Sequence, residues 1–288
     1  MGNVRQESRA LRWLGLIVGV LALAGCSATR LFYSHLDWLA FQALDERFGV
    51  RTDQADWVEH RLDVLHRWHR QTQLPAYRET LDALSARFAD GLTATDLHWL
   101  EARIERHRRA LVERIVPELA VFMADLDAAQ RERYAAVTEE QLAEAAEPLA
   151  LEPKARVAER LEQFVERIEP WTGDLTRAQR RGLEGDVARQ PDLLAPWLDQ
   201  RRQRRDALLD LLARQPEPAQ IENLLFGWWR DLDRAYPPDY VIARHAARDQ
   251  LFELLVRLDD RLSDEQRERV QAKLNDYRET IETVIAAR

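Results

Sequence analysis

The chain has 288 residues, 42 of them basic and 50 acidic, and a net charge of −8; three Arg and one Glu in residues 1–25 leave −10 on residues 26–288. Nucleic-acid binding relies on clustered cations that release counterions, so a chain this acidic is not expected to have a nucleic-acid partner. Cys26 is the single cysteine, which excludes a disulfide within the chain and makes the fold depend on packing.

The N-terminus reads as a lipoprotein signal over residues 1–25. Arg5, Arg9 and Arg12 form a basic start, Trp13 to Ala24 an apolar run, and Leu23-Ala24-Gly25-Cys26 a lipobox. The apolar run is too short to span a hydrocarbon core of roughly 30 Å as a stable helix. The expectation is cleavage before Cys26 and lipidation of its thiol and new amine, anchoring the chain to a membrane facing the periplasm. Three acyl chains exceed the two lipid signals that stable anchoring requires. Ser27 at the next position points to the outer membrane over the inner.

From Leu31 onward the apolar residues recur at three and four, with no strand-like alternation. Phe32, Leu36, Leu39 and Ala43 mark a first helix to Phe48. Val58, Leu62, Leu65 and His69 mark a second, which Leu74-Pro75 should interrupt. Tyr77, Leu81, Leu84 and Phe88 resume the rhythm up to Gly91. Leu97, Leu100, Ile104, His107 and Leu111 lie on one stripe of a helix continuing past Pro117. Gln130 to Glu147 is Ala- and Glu-rich, and 147–153 is a joint dividing an N-terminal region, 26–147, from a C-terminal one, 148–288, continuous with it. Val157 to Ile168, Arg177 to Arg189, a helix ending near Arg214, Ile221 to Leu232, and two helices from Asp239 and Asp264 complete the chain. The fold class is all-α, an elongated bundle or stacked helical hairpins.

Leu175-Thr176-Arg177-Ala178-Gln179 and Leu262-Ser263-Asp264-Glu265-Gln266 share a Leu-[Ser/Thr]-x-x-Gln signature; Leu92 to Asp96 and Leu126 to Gln130 are looser copies. Each has the form of a capping box, in which the hydroxyl or carboxylate takes an orphan N–H and the third residue reaches back. The signature also resembles small periplasmic helical chaperones, in which Leu-Thr-x-x-Gln is characteristic. Capping alone accounts for it.

Cys26-Ser27, Leu31-x-Tyr33, Asp37-Trp38-Leu39 and Leu44-Asp45, extended by Leu65-His66-Arg67-Trp68-His69-Arg70, Leu74-Pro75-x-Tyr77 and Gly91-Leu92-Thr93, resemble a family of Gram-negative lipoproteins of unknown function. Arg47 departs from that pattern, where an aromatic residue is expected after Leu44-Asp45. The resemblance implies a helical, lipid-anchored envelope protein and no activity.

The densest chemistry lies between Glu59 and Arg70. On a helix Asp63, His66 and His69 share a side, while His60 falls opposite His69. Asp63-x-x-His66 is half of a carboxylate-bridged di-metal motif, but no second acidic-x-x-His occurs. Neither a zinc-binding His-Glu-x-x-His nor a Gly-x-Ser-x-Gly elbow occurs. The expectation is therefore no catalytic residue, no cofactor and no metal. Asp63, His66, Trp68 and His69 read as a hydrogen-bonded cluster in an interhelical groove, serving structure or a partner. Trp228 and Trp229 point about 100° apart; core packing alone is the simpler reading, and the alternative sets one in the core and the other in an interhelical seam or exposed binding groove. Arg201, Arg202, Arg204 and Arg205, and the run Arg103, Arg106, Arg108 and Arg109, read as salt-bridged solvated faces. The functional expectation is a non-enzymatic binding, scaffolding or chaperone-like envelope protein with a protein partner. A metal-dependent enzyme using His66 and His69, or a lipid or cell-wall binding module, is the alternative.

Overall fold

The computed structural model describes residues 33–287; the signal segment and Cys26 lie outside the described residues. The helices are α1 (Leu36–Phe48), α2 (Thr52–Trp68), α3 (Leu74–Phe88), α4 (Ala94–Ala124), α5 (Ala128–Ala146), α6 (Pro153–Thr172), α7 (Arg177–Arg189), α8 (Leu194–Leu212), α9 (Pro218–Trp229), α10 (Pro238–Asp259) and α11 (Asp264–Ala286). A π-helical turn (His69–Gln73) joins α2 to α3, and a 3-10 turn (Glu147–Ala150) comes after α5. No strand occurs among the described residues, so the bundle is all-α. No helix there is long and apolar enough to cross a membrane.

The 31-residue α4 is the spine. Its C-terminal half packs against α9, and its N-terminal half against α3 and α10. The first core gathers Phe48, Val58, Val116, Phe122, Leu208, Leu212, Ile221 and Leu225, drawn from both halves of the sequence. A second core joins α6, α7 and α10 through Val165, Leu183, Val187 and Leu254. Helix α11 lies along α3 and also meets α6. There Ser85 donates to Gln271 at 2.6 Å, and the Gln271 amide returns to the Ser85 carbonyl at 3.0 Å.

The capping signatures have a tertiary role as well as a local one. Gln54, Gln130, Gln179 and Gln266 are all buried at the first turns of α2, α5, α7 and α11. Each Oε1 accepts the N–H of its own N-cap residue: Arg51 at 3.1 Å, Asp127 at 3.2 Å, Thr176 at 2.9 Å and Ser263 at 3.1 Å. The amide nitrogens then bridge two corners. Gln130 donates to Gln54 at 2.8 Å and to the Gly49 carbonyl at 2.9 Å, while Gln179 donates to Gln266 at 2.7 Å and to the Arg261 carbonyl at 2.8 Å. The α1–α2 corner is thus pinned to the α4–α5 corner, and α6–α7 to α10–α11. The sequence signature missed Gln54, because Arg51 stands at its N-cap instead of a hydroxyl or carboxylate residue.

Two local expectations are corrected. Pro75 does not interrupt the second helix; the chain stays helical from Thr52 to Phe88. Proline lacks an N–H and crowds the carbonyl four residues back, and here the preceding turn widens, with the Leu74 N–H donating to the His69 carbonyl five residues earlier. Ile104, placed on the apolar stripe of α4, is 57% exposed and so lies outside the packed part of that stripe.

Candidate functional site: the groove between α3 and α4

The sequence-derived cluster is built on the π turn. Adding a residue to one turn rotates the remainder of the helix and brings His69, Tyr77 and, across on α4, His107 into one line. The His69 and Tyr77 rings meet edge to face at 5.5 Å, and Tyr77 and His107 at 4.8 Å. From the other side Tyr33 reaches His69 Nδ1 through its hydroxyl at 2.9 Å and sets its ring edge-on to His66 at 4.9 Å. Trp68 lies edge-on to His69 at 6.5 Å. Asp63 turns away, pairing with Arg67 at 3.0 Å, so the carboxylate nearest His66 is Asp37, 3.9 Å from Nδ1. His66 Nε2 is buried without a hydrogen-bond partner among the described residues.

Burial sets the protonation states along this line. It pushes His69 down to about 4, with His66 adding a smaller push in the same direction, and lowers His66 and His107 as well. Tyr77 is pushed up to about 12, and Tyr33 is raised too, also by burial. At neutral pH the line holds neutral imidazoles and protonated phenols. The Thr80 hydroxyl donates to the Ala76 carbonyl at 2.9 Å, so its oxygen accepts the N–H from His107 Nε2, also at 2.9 Å.

His107 and Thr80 open onto a groove of about 290 Å³ between α3 and α4. One wall is Ala76, Glu79, Thr80 and Ala83, behind Gln73 of the π turn; the other is Trp99, Arg103, Arg106, His107 and Ala110. Spacings of three and four put each set on one helix face. Alanines at 76, 83 and 110, where a bundle ordinarily seats larger side chains, keep the helices from filling the space.

The groove's cations differ from their neighbours. Arg108 and Arg109 both bind Glu105, at 2.6 and 2.8 Å, and Arg87 binds Asp96 at 2.7 Å. Arg103 has only the Trp99 ring, 5.5 Å from its guanidinium carbon, and among the described residues neither Arg103 nor Arg106 has a carboxylate partner. The salt-bridged face expected of this run therefore covers Arg108 and Arg109 but not Arg103 and Arg106. The other arginine run divides likewise: Arg202 pairs with Asp199 at 3.1 Å and Arg205 with Asp206 and Glu139, while Arg201 lies over Trp197 and Arg204 over Tyr236.

Trp228 and Trp229 do not join the histidine cluster. Both are half-buried and pack against the first core, with Arg204 near Trp228 and Arg108 donating to the Trp229 carbonyl. Among the described residues no three His, Cys, Asp or Glu side chains are grouped to hold a metal ion.

Fold and groove together define an all-α bundle with an open interhelical cleft beside a buried histidine–tyrosine line. The chain belongs to a family of unknown function (DUF6279), whose profile matches residues 48–241. That span holds the motifs Leu65 to Arg70, Leu74 to Tyr77 and Gly91 to Thr93, and excludes those from Cys26 to Asp45. No curated protein and no solved structure matches the chain.

Proposed function

We propose that this protein is a lipid-anchored periplasmic component of the cell envelope, held through Cys26 at the outer membrane, whose helical body binds a protein partner without catalysing a reaction on it. The anchor rests on the sequence Leu23-Ala24-Gly25-Cys26-Ser27 and the basic, apolar stretch before it. The observation that carries the binding role is the α3/α4 groove, an open cleft with alanines on both walls and two arginines that have no carboxylate partner among the described residues.

Two measurements test the two parts. Wild-type protein should label with a palmitate analogue in growing cells, and Cys26→Ser should abolish the label and leave an uncleaved precursor. An unlabelled wild type, or a labelled Cys26→Ser, removes the anchor. A photoreactive side chain introduced at Ala83 should capture an envelope protein that the same group at exposed Ile242 does not. Identical capture from both positions removes the groove as the binding surface.

A further inference from the structure

We propose that the α3/α4 groove takes an acidic segment of a polypeptide, its carboxylates met by Arg103 and Arg106 and its small apolar side chains lying over Ala76, Ala83 and Ala110. This rests on the binding role proposed above and names what the groove selects. The chain carries an excess of acid, 50 residues against 42 basic, and the neighbouring arginines Arg87, Arg108 and Arg109 are all matched with carboxylates. Arg103 and Arg106, on one wall of the cleft and without a carboxylate partner among the described residues, leave a local positive excess. Glu79 on the facing wall offsets one charge, and His107, neutral and donating to Thr80, adds none.

Size and backbone narrow the chemistry further. About 290 Å³ is just below the usual range for ligand pockets, which runs from about 300 to 1,000 Å³. It accommodates a few side chains, not a nucleotide or a lipid body. Both walls are mid-helix surfaces, where backbone N–H groups are spent on intrahelical bonds. The groove therefore lacks the backbone nest or helix N-terminus that favours phosphate. What it offers an anion is two planar guanidinium forks, whose geometry matches carboxylate. The cleft runs open along two helices, which suits an extended segment better than an enclosed small molecule.

The test uses the full-length protein in detergent micelles and a fluorescent capped peptide, Ala-Glu-Ala-Leu-Glu-Ala, read by anisotropy. The peptide should bind at least about ten-fold more tightly than its Gln counterpart, as expected for charge-assisted bonds. Arg103→Gln/Arg106→Gln should remove that preference, while Arg202→Gln, a surface charge elsewhere, should not. Ala110→Leu, which narrows the cleft from the α4 wall and keeps both charges, should also weaken binding, and unchanged helical circular dichroism verifies that each variant is folded. Equal binding of the Glu and Gln peptides overturns the proposal, as does insensitivity to the double arginine change. Displacement by inorganic phosphate at the concentration of a competing peptide also overturns it, since the groove would then read charge alone. If a neutral or basic peptide binds instead and Ala110→Leu blocks it, the acidic preference is wrong while the groove remains a binding surface. If no peptide binds and Ala83 captures nothing specific, both readings fail.

Discussion

Acidification should destabilise this fold through His69, by an amount that the site geometry sets. Burial holds His69 at about 4 in the folded protein, against 6.5 for the free side chain. An imidazole with a depressed folded pKa binds its proton in the unfolded chain first, so stability is complete above about 6.5 and falls as pH drops toward 4. A shift of this size integrates to about 2 kcal/mol lost by pH 5 and about 3 kcal/mol at the limit. His66, also lowered by burial, adds to the same slope. Protonation also makes both ring nitrogens donors, so that Nδ1, 2.9 Å from the Tyr33 hydroxyl, can then only donate. The assay is urea unfolding of the full chain in detergent at pH 7.5 and pH 5.0, for wild type and His69→Asn. The Asn carboxamide sets a polar atom one bond beyond Cγ, as Nδ1 is, where it can accept from or donate to the Tyr33 hydroxyl, but it does not titrate. The variant should be less stable at pH 7.5 through lost ring packing, and should lose about 2 kcal/mol less than wild type on going to pH 5.0. Parallel losses in the two proteins would refute the assignment of a buried, neutral His69.

Other substitutions probe the corners and turns. Gln130→Ala removes a cap bond to Asp127 and bridges to Gly49 and Gln54, and should cost about 2–4 kcal/mol in chemical denaturation. Gln54→Ala/Gln130→Ala should cost less than the sum of the single changes, since the two share one bridge; strict additivity would deny the pairing. Gly49→Ala forces a side chain into φ +66° with a contact 3.1 Å from Arg133, and a thermal scan should register about 1–2 kcal/mol of lost stability.

Helix placement was legible because the apolar spacing and the Pro and Gly punctuation act locally. Gly91, at φ 93°, closes α3, and Arg177 and Arg189 bound α7 as the sequence implies. Pro75 was misread because a proline forbids a regular α turn but not a π turn, and nothing in the composition of His69–Gln73 signals the extra residue. Ile104 fails for a different reason. Periodicity identifies which residues share a helix face but not whether another helix arrives to cover it. The same gap affected the arginine runs. Flanking acids are visible in sequence, yet which of them reach Arg103 depends on side-chain direction, and Glu105 is consumed by Arg108 and Arg109.

The histidine cluster shows how far a sequence reading of a site can go. One-face geometry groups His66 and His69, and both rings meet Tyr33; the partner chosen from spacing, Asp63, is committed to Arg67, while the hydrogen-bond partner of His69 is Tyr33, thirty-six residues away. Tyr33 lies seven positions beyond Cys26. The same line then runs through Tyr77 to His107, whose ring is locked by Thr80 at the wall of the α3/α4 groove. A chain of packed, neutral rings thus connects the segment nearest the proposed anchor to the proposed binding cleft. Such a line transmits strain only if it has two arrangements. Its most buried imidazole, His69, is the member whose protonation would change the contact with Tyr33 first felt on the anchor side, while the groove end stays fixed by the Thr80–Ala76 bond. Tyr33 and the cleft are therefore joined by packed rings while presenting different chemistry: uncharged rings within, and at the mouth two guanidinium groups with no carboxylate partner among the described residues.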